Sequence, residues 1–189
     1  MGYQQMLAEL QAQGKPARVG IIGTGKFGTM YVSQVRKVIG CHLVAICELD
    51  PARAYWALET TKWPKEQYSA KTLEEAYRTG KTTVITSRDE LLESPYVDII
   101  IDCTGNAELG VDTCLKAFAH GKSVVNVNVE CDILAGAVLA EEAKKAGVVY
   151  SMAWGDQPAE IVDMVDWART AGFEVVCAGK GTRFQPEYH

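Results

Sequence analysis

Val19-Gly20-Ile21-Ile22-Gly23-Thr24-Gly25-Lys26-Phe27-Gly28 joins an apolar run to three glycines in the spacing GxGxxG, and a helix-like stretch follows. The order strand, glycine turn, helix carries more information than the glycines alone. The first glycine lets the chain turn sharply out of a strand, the second lets bare backbone approach a pyrophosphate, and the third permits close helix–strand packing. The unpaired amides of the helix start and its dipole favour an anion there. Twenty residues after Gly28, closing the apolar run Leu43-Val44-Ala45-Ile46-Cys47, stands Glu48. An acid at that place can accept hydrogen bonds from an adenosine ribose. A glycine-rich turn in an unrelated α/β protein would not need that acid. The expected ligand is a dinucleotide, NAD or NADP, held by Gly23, Thr24, Gly25, Lys26, Phe27, Gly28 and Glu48.

The rest of the chain extends the same pattern. Strand-like apolar runs recur at 18–22, 42–47, 82–86, 97–103, 123–128, 148–153 and 174–178, with helical patterns between most of them. Leu109–Ala119 ends at Gly121 and Leu134–Ala146 at Gly147, each a glycine stop after a helix. Ser87-Arg88-Asp89-Glu90 has the capping-box spacing of a helix start. Ile/Val-rich strands alternating with helices predict an α/β fold, a doubly wound parallel sheet of the Rossmann type with six or seven strands. Residues 1–17 read as a short helical lead-in and 18–189 as the dinucleotide-binding domain. Between strands two and three, Pro51–Thr60 and Leu73–Arg78 predict helices. Trp63-Pro64 either packs a sheet edge or lines the adenine side, with packing preferred.

Composition narrows the function classes. The chain has 189 residues, 48% hydrophobic and 23% charged, with a net charge of -5. This mild, mixed charge argues against nucleic acid or an anionic membrane as main partner. No stretch reaches the ~18 consecutive apolar residues of a membrane span, and Met1–Met6 lacks a signal-peptide pattern. The six cysteines form no CxxC pair, and the three histidines are widely spaced. Buried reduced thiols in a cytoplasmic protein, and no zinc site, are expected.

In open α/β sheets ligands bind beyond the carboxyl ends of the strands, near the point where strand order reverses. After strand four come Thr104, Gly105 and Asn106, suited to ribose and pyrophosphate. After strand five, continued alternation would put Asn126, Asn128 and Glu130 on one face, converging near the nicotinamide. Asp156 reads either as a site residue or as an ordinary N-cap before Pro158. Lys180 between Gly179 and Gly181 suits an anionic substrate group or a carbonyl oxygen receiving hydride. The expected catalytic set is Lys180, Glu130 and Asp156. Glu48 would repel a 2′-phosphate and so favours NAD. Arg53 reads either as a cation that rescues NADP or as a solvated helix residue. Cys131 stands where a thiol nucleophile could follow a Rossmann strand, but no histidine is near in sequence to serve as its base.

At these residues the chain resembles the homoserine-dehydrogenase-like NAD(P)-binding oxidoreductases with a C-terminal SAF domain, and among them the 1-deoxy-D-xylulose 5-phosphate reductoisomerase-like proteins. The matching text is Arg18–Gly28, Val125–Glu130, Val148–Ser151, Gly155–Pro158, Trp167–Arg169, Gly172–Val176 and Gly179–Thr182. The resemblance implies a nicotinamide-dependent oxidoreductase, in some relatives coupling reduction to isomerisation of a sugar phosphate. Homoserine dehydrogenases of the family carry a lysine just after the Asn of strand five. Here Asn128 is followed by Val129 and Glu130, which argues against homoserine as substrate. The family's chains are longer, so the chain reads as an N-terminal portion that binds cofactor and a small-molecule substrate when complete. A homo-oligomer fits this reading. A dinucleotide-sensing module without catalysis is the competing one. Five polar groups at the nicotinamide end favour the enzyme.

Overall fold

The computed structural model describes residues 2–155 and 157–179. Six strands form one sheet: β1 (Ala17–Ile22), β2 (Cys41–Cys47), β3 (Thr83–Ile85), β4 (Ile99–Asp102), β5 (Ser123–Asn126) and β6 (Tyr150–Met152). Their order is β3-β2-β1-β4-β5-β6, so strand order reverses between β1 and β4. The ladders joining β3, β2, β1, β4 and β5 are parallel. This is the doubly wound Rossmann-type sheet that the alternating pattern predicts.

Helices α2 (Lys26–Val35) and α3 (Pro51–Thr60) cross over on one face, where Val32, Val35, Ala54 and Leu58 pack on Val19, Ile21, Leu43 and Ile46. Trp63 completes that core and donates its indole N–H to the Val32 carbonyl at 2.9 Å, which settles its packing role. The other face carries α4 (Leu73–Thr79), α5 (Arg88–Glu93), α6 (Ala107–Ala119) and α7 (Val129–Ala146). Leu73, Leu91, Leu92, Phe118 and Leu139 there cover Ile22, Val44, Ile100 and Val124. Both faces are buried because every parallel connection crosses over with a helix. The lead-in forms α1 (Tyr3–Ala12).

Contacts divide the chain into two compact units, Met1–Ser151 and Met152–His189, whereas the sequence pattern ran the dinucleotide domain on to 189. In the second unit α8 (Gln157–Thr170) borders a small groove of about 250 Å³, lined by Ile161, Val165, Val175 and Cys177 among others. Residues 174–178, expected as a seventh strand, form no strand. Val176 is 87% exposed, and a central parallel strand would need both faces buried. Cys177 is exposed rather than buried, while Cys47, Cys114 and Cys131 are buried and all six thiols are free.

Candidate functional site

Register brings the strand ends to one level. Ile22 pairs with Cys47 and Asp102, and Asp102 pairs with Asn126. One further rung extends each ladder: Gly23 N–H donates to Cys47 O, Cys103 N–H to Ile22 O and Val127 N–H to Asp102 O, each at 2.9 Å. Gly23, Glu48, Cys103 and Val127 therefore lie side by side at the carboxyl edge, at the reversal point of the sheet.

Each glycine of the loop is there for a different reason. Gly23 has φ +91°, and a Cβ on it would meet the Cys103 carbonyl oxygen at 3.0 Å. On Gly28 a Cβ would lie 2.2 Å from the Gly23 carbonyl oxygen, so helix α2 packs directly on the turn. Gly25 is under neither constraint: its φ is -64°, and a Cβ there would meet nothing within 4 Å. It is the N-cap of α2 with no side-chain capping bond, and the first-turn amides of a helix have no intrahelical acceptors. Bare backbone, open space and a positive helix end together make a cradle for a pyrophosphate. Lys26 and Phe27 beside it are exposed.

Glu48 takes a role the sequence did not reveal. Its Oε2 accepts both the Thr24 amide and the Thr24 hydroxyl at 2.8 Å, and its Oε1 accepts the Leu49 amide at 3.0 Å. Burial pushes this carboxyl up, but the Thr24 and Leu49 hydrogen bonds and the charge of Arg53 outweigh it and hold it below the usual glutamate value. Glu48 is thus an ionised strut that sets the glycine loop against β2. Thr24 ties the loop onward: its carbonyl accepts the Thr29 hydroxyl at 3.0 Å. Between the loop and the first turns of α3 opens a cleft of about 650 Å³, lined by Thr24, Gly25, Lys26, Thr29, Ala52, Arg53 and Trp56. A larger cleft of about 1020 Å³, with Arg18, His42 and Tyr77 among its lining, is at the opposite, amino ends of the strands and holds none of the expected site residues.

At the β4 and β5 ends the polar residues turn toward one another. The strand alternation expected for Asn126, Asn128 and Glu130 stops at Asn126, whose Oδ1 accepts the Asn128 amide at 3.0 Å and turns the chain. Asn128 caps α7, with its Oδ1 accepting the Cys131 amide at 3.2 Å. Its Nδ2 is shared among Asn106 O at 2.8 Å, the Thr104 hydroxyl at 3.1 Å and Asp102 Oδ2 at 3.2 Å. Asn126 donates to the Tyr150 hydroxyl at 2.9 Å, which donates to Asp132 at 2.8 Å. Both asparagines and Asp102 are fully buried, whereas Glu130 is exposed on α7. Asp102 Oδ1 also accepts the Thr104 amide at 2.9 Å and so fixes the loop that carries Gly105. Asp102 has no role in the sequence reading, although an Asp closing a strand two residues ahead of Thr104-Gly105 can cap its own turn. Gly105 and Asn106 are exposed, and Asn106 caps α6 through the Leu109 amide at 2.8 Å.

Cys131 is buried, and desolvation together with Asp102 pushes its thiol up, which opposes the thiolate that a nucleophile needs. Among the described residues no group of three or more His, Cys, Asp or Glu side chains is placed to share a metal ion. Asp156 and Lys180 lie outside the described residues. No helix among the described residues is long and apolar enough to cross a membrane.

Residues 17–153 match the family described as "Oxidoreductase family, NAD-binding Rossmann fold". The chain belongs to this family. A second family, "Oxidoreductase DRL, catalytic domain", matches residues 155–189, beginning where the first ends. Among solved structures, this NAD-binding oxidoreductase domain is similar to a homoserine dehydrogenase from Thiobacillus denitrificans (19% identity, TM-score 0.58, covering 73% of this chain and 29% of that one). It is also similar to scyllo-inositol dehydrogenase from Lactobacillus casei with bound NAD(H) and scyllo-inositol (16%, TM-score 0.55, 84% and 42%). A third is biliverdin reductase from Synechocystis sp. PCC 6803 with biliverdin and NADP+ (18%, TM-score 0.54, 82% and 42%). The chain thus spans well under half the length of these structures. At such identities they share its fold. No curated protein matches.

Proposed function

We propose that this chain is the cofactor-binding portion of an NAD(P)-dependent oxidoreductase that moves a hydride to or from a small hydroxy or oxo compound. The observation that carries the reading is Gly25: an N-cap glycine with negative φ and nothing within 4 Å of its missing side chain. Neither packing nor φ demands glycine there, and glycine's modest N-cap preference aside, that favours a ligand that touches the backbone. The family match over residues 17–153 supports the same cofactor.

The dinucleotide domain closes near residue 153, and the second unit begins the domain that receives substrate. The contact boundary at Ser151/Met152 and the start of the second family match at 155 support this division. Lys180 stabilises the reacting oxygen, and Asp156 and Glu130 are the residues assigned to position substrate or relay protons. Thr104 and Gly105 serve the ribose and pyrophosphate, with Asn126 and Asn128 holding that loop from behind. The substrate class is a sugar phosphate whose reduction is coupled to isomerisation, a reading supported by the motif strings around 125–130 and 155–182.

The test is a substrate screen on a chain extended past His189, followed by nicotinamide absorbance, with Lys180→Ala alongside. Turnover of a sugar phosphate, lost in the variant, is expected. Turnover that survives the loss of Lys180 removes it from the mechanism. Dinucleotide binding without turnover of any oxo acid, polyol or sugar phosphate leaves the non-catalytic sensor as the better reading.

A further inference from the structure

We infer that the cleft at the amino ends of β1 and β2 is a second anion site, which takes a small phosphorylated molecule and not the dinucleotide. The cleft, of about 1020 Å³, is walled by the C-terminal ends of α1, α2 and α4 and floored by the first residues of the two strands. Small-molecule pockets commonly enclose ~300–1,000 Å³, so it has the room for such a ligand. The glycine loop lies at the other end of the sheet. With six residues in β1, at ~3.3 Å each, the two places are roughly 20 Å apart.

The polar groups of the floor are taken up within the protein. Arg18 forks onto the Asp98 carboxylate and donates to the Pro95 carbonyl at 3.0 Å, with its guanidinium carbon 5.3 Å from the centre of the Tyr77 ring. His42 donates from Nε2 to the Lys81 carbonyl at 2.8 Å, and the Thr82 hydroxyl donates to the Leu43 carbonyl at 2.6 Å. Arg18 thereby neutralises Asp98, the one acid in the lining among the described residues. Lys15, Arg36 and Arg78 line the same cleft, are exposed and are in no ion pair with a described residue. On a chain with a net charge of -5, three such cations around one cleft call for a counter-charge. The helix ends supply part of it. Each C-terminus carries about half a negative charge, so the three ends offset roughly half of the three cations. The excess that is left, about 1.5 positive charges, matches the charge of about -1.5 to -2 on a phosphate ester better than the single charge of a carboxylate. Guanidinium forks suit phosphate oxygens, and an ammonium adds a mobile charge. The last carbonyls of a helix lack intrahelical donors, so acceptors for the hydroxyls of an organic body lie beside the cations.

The experiment follows the backbone amide resonances of the full 189-residue chain while glucose 6-phosphate, inorganic phosphate or succinate is added. Saturable shifts at Lys15, Arg36, His42 and Arg78 are expected with glucose 6-phosphate, and weaker binding at the same residues with inorganic phosphate. Removing both free guanidinium groups, in Arg36→Ala with Arg78→Ala, is expected to weaken glucose 6-phosphate about tenfold or more. Lys65→Ala with Lys144→Ala removes two exposed cations outside the cleft and should change the affinity less than about threefold. Should the alanine pair fail to fold, Arg36→Lys with Arg78→Lys decides: it keeps the charge, loses the forks and is expected to weaken binding about threefold. Shifts confined to residues 23–28 or 104–106, or no saturable binding of any of the three probes, overturn the inference. So do binding of inorganic phosphate alone, succinate binding more tightly than glucose 6-phosphate, equal losses in the two alanine pairs, and an unaltered affinity in the lysine pair.

Discussion

The two ends of the candidate cofactor site use polar residues in opposite ways. At the β1–β2 end one buried carboxylate, Glu48, organises the glycine loop through Thr24, while Gly25, Lys26, Arg53 and Trp56 are left facing an open cleft. At the β4–β5 end Asp102, Asn126 and Asn128 are buried and engage one another, Thr104, Asn106 and Tyr150. The first end keeps two polar side chains, Glu48 and Thr24, inside and presents the rest. The second spends its polar side chains inside and presents backbone, at Gly105. Buried polar groups must find partners, and whether a partner is protein or ligand decides which residues are contacts and which are supports.

The largest effect is expected at the internal network. Asn128→Ala removes the α7 cap and strands Asp102 Oδ2, a loss of about 3 kcal/mol. For a chain of this size that lowers Tm by roughly 10 °C, read by thermal unfolding. Its effect on binding is secondary, through the loosened 104–106 loop. A variant of unchanged stability with dinucleotide affinity abolished would reverse the comparison and make Asn128 a direct contact.

A smaller, pH-dependent effect separates the strut from a ligand contact. Glu48→Gln is expected to cost about 1.5 kcal/mol at neutral pH, because charge-assisted bonds to Thr24 become neutral ones. The Glu48 carboxyl is held below its ordinary value of 4.5 in the folded chain. Its contribution is therefore present above that value and is lost as pH falls through the lowered folded value. Denaturation profiles of wild type and variant should converge on the acid side. A gap that stays constant from neutral to strongly acidic pH would show that the Glu48 charge does not brace the loop.

Most of the fold was legible in the sequence, because period and punctuation act locally. Pro51–Thr60 was bounded by its own cap and proline, and the glycine stops at Gly121 and Gly147 marked the ends of α6 and α7. The glycine loop was legible for the same reason. The face shared by Asn126, Asn128 and Glu130 was not, because alternation cannot reveal that Asn126 turns the chain and Asn128 starts a helix. Val175-Val176 has strand composition but no neighbour to pair with among the described residues, and pairing is not written in five residues. Glu48 was placed correctly at the end of β2. Its partner Thr24 was hidden because the contact joins two loops 24 residues apart.

The central claim is that a dinucleotide lies on the bare backbone at Gly25, and Gly25→Val tests it most directly. Valine fits the negative φ and its Cβ meets no protein atom within 4 Å, so Tm should fall by no more than a few degrees, the cost of a poorer N-cap. Titration of the folded variant with NADPH and NADH should show affinity for both reduced at least a hundredfold, since a side chain now occupies the place of the pyrophosphate. A folded variant that binds either cofactor as tightly as wild type would contradict the account.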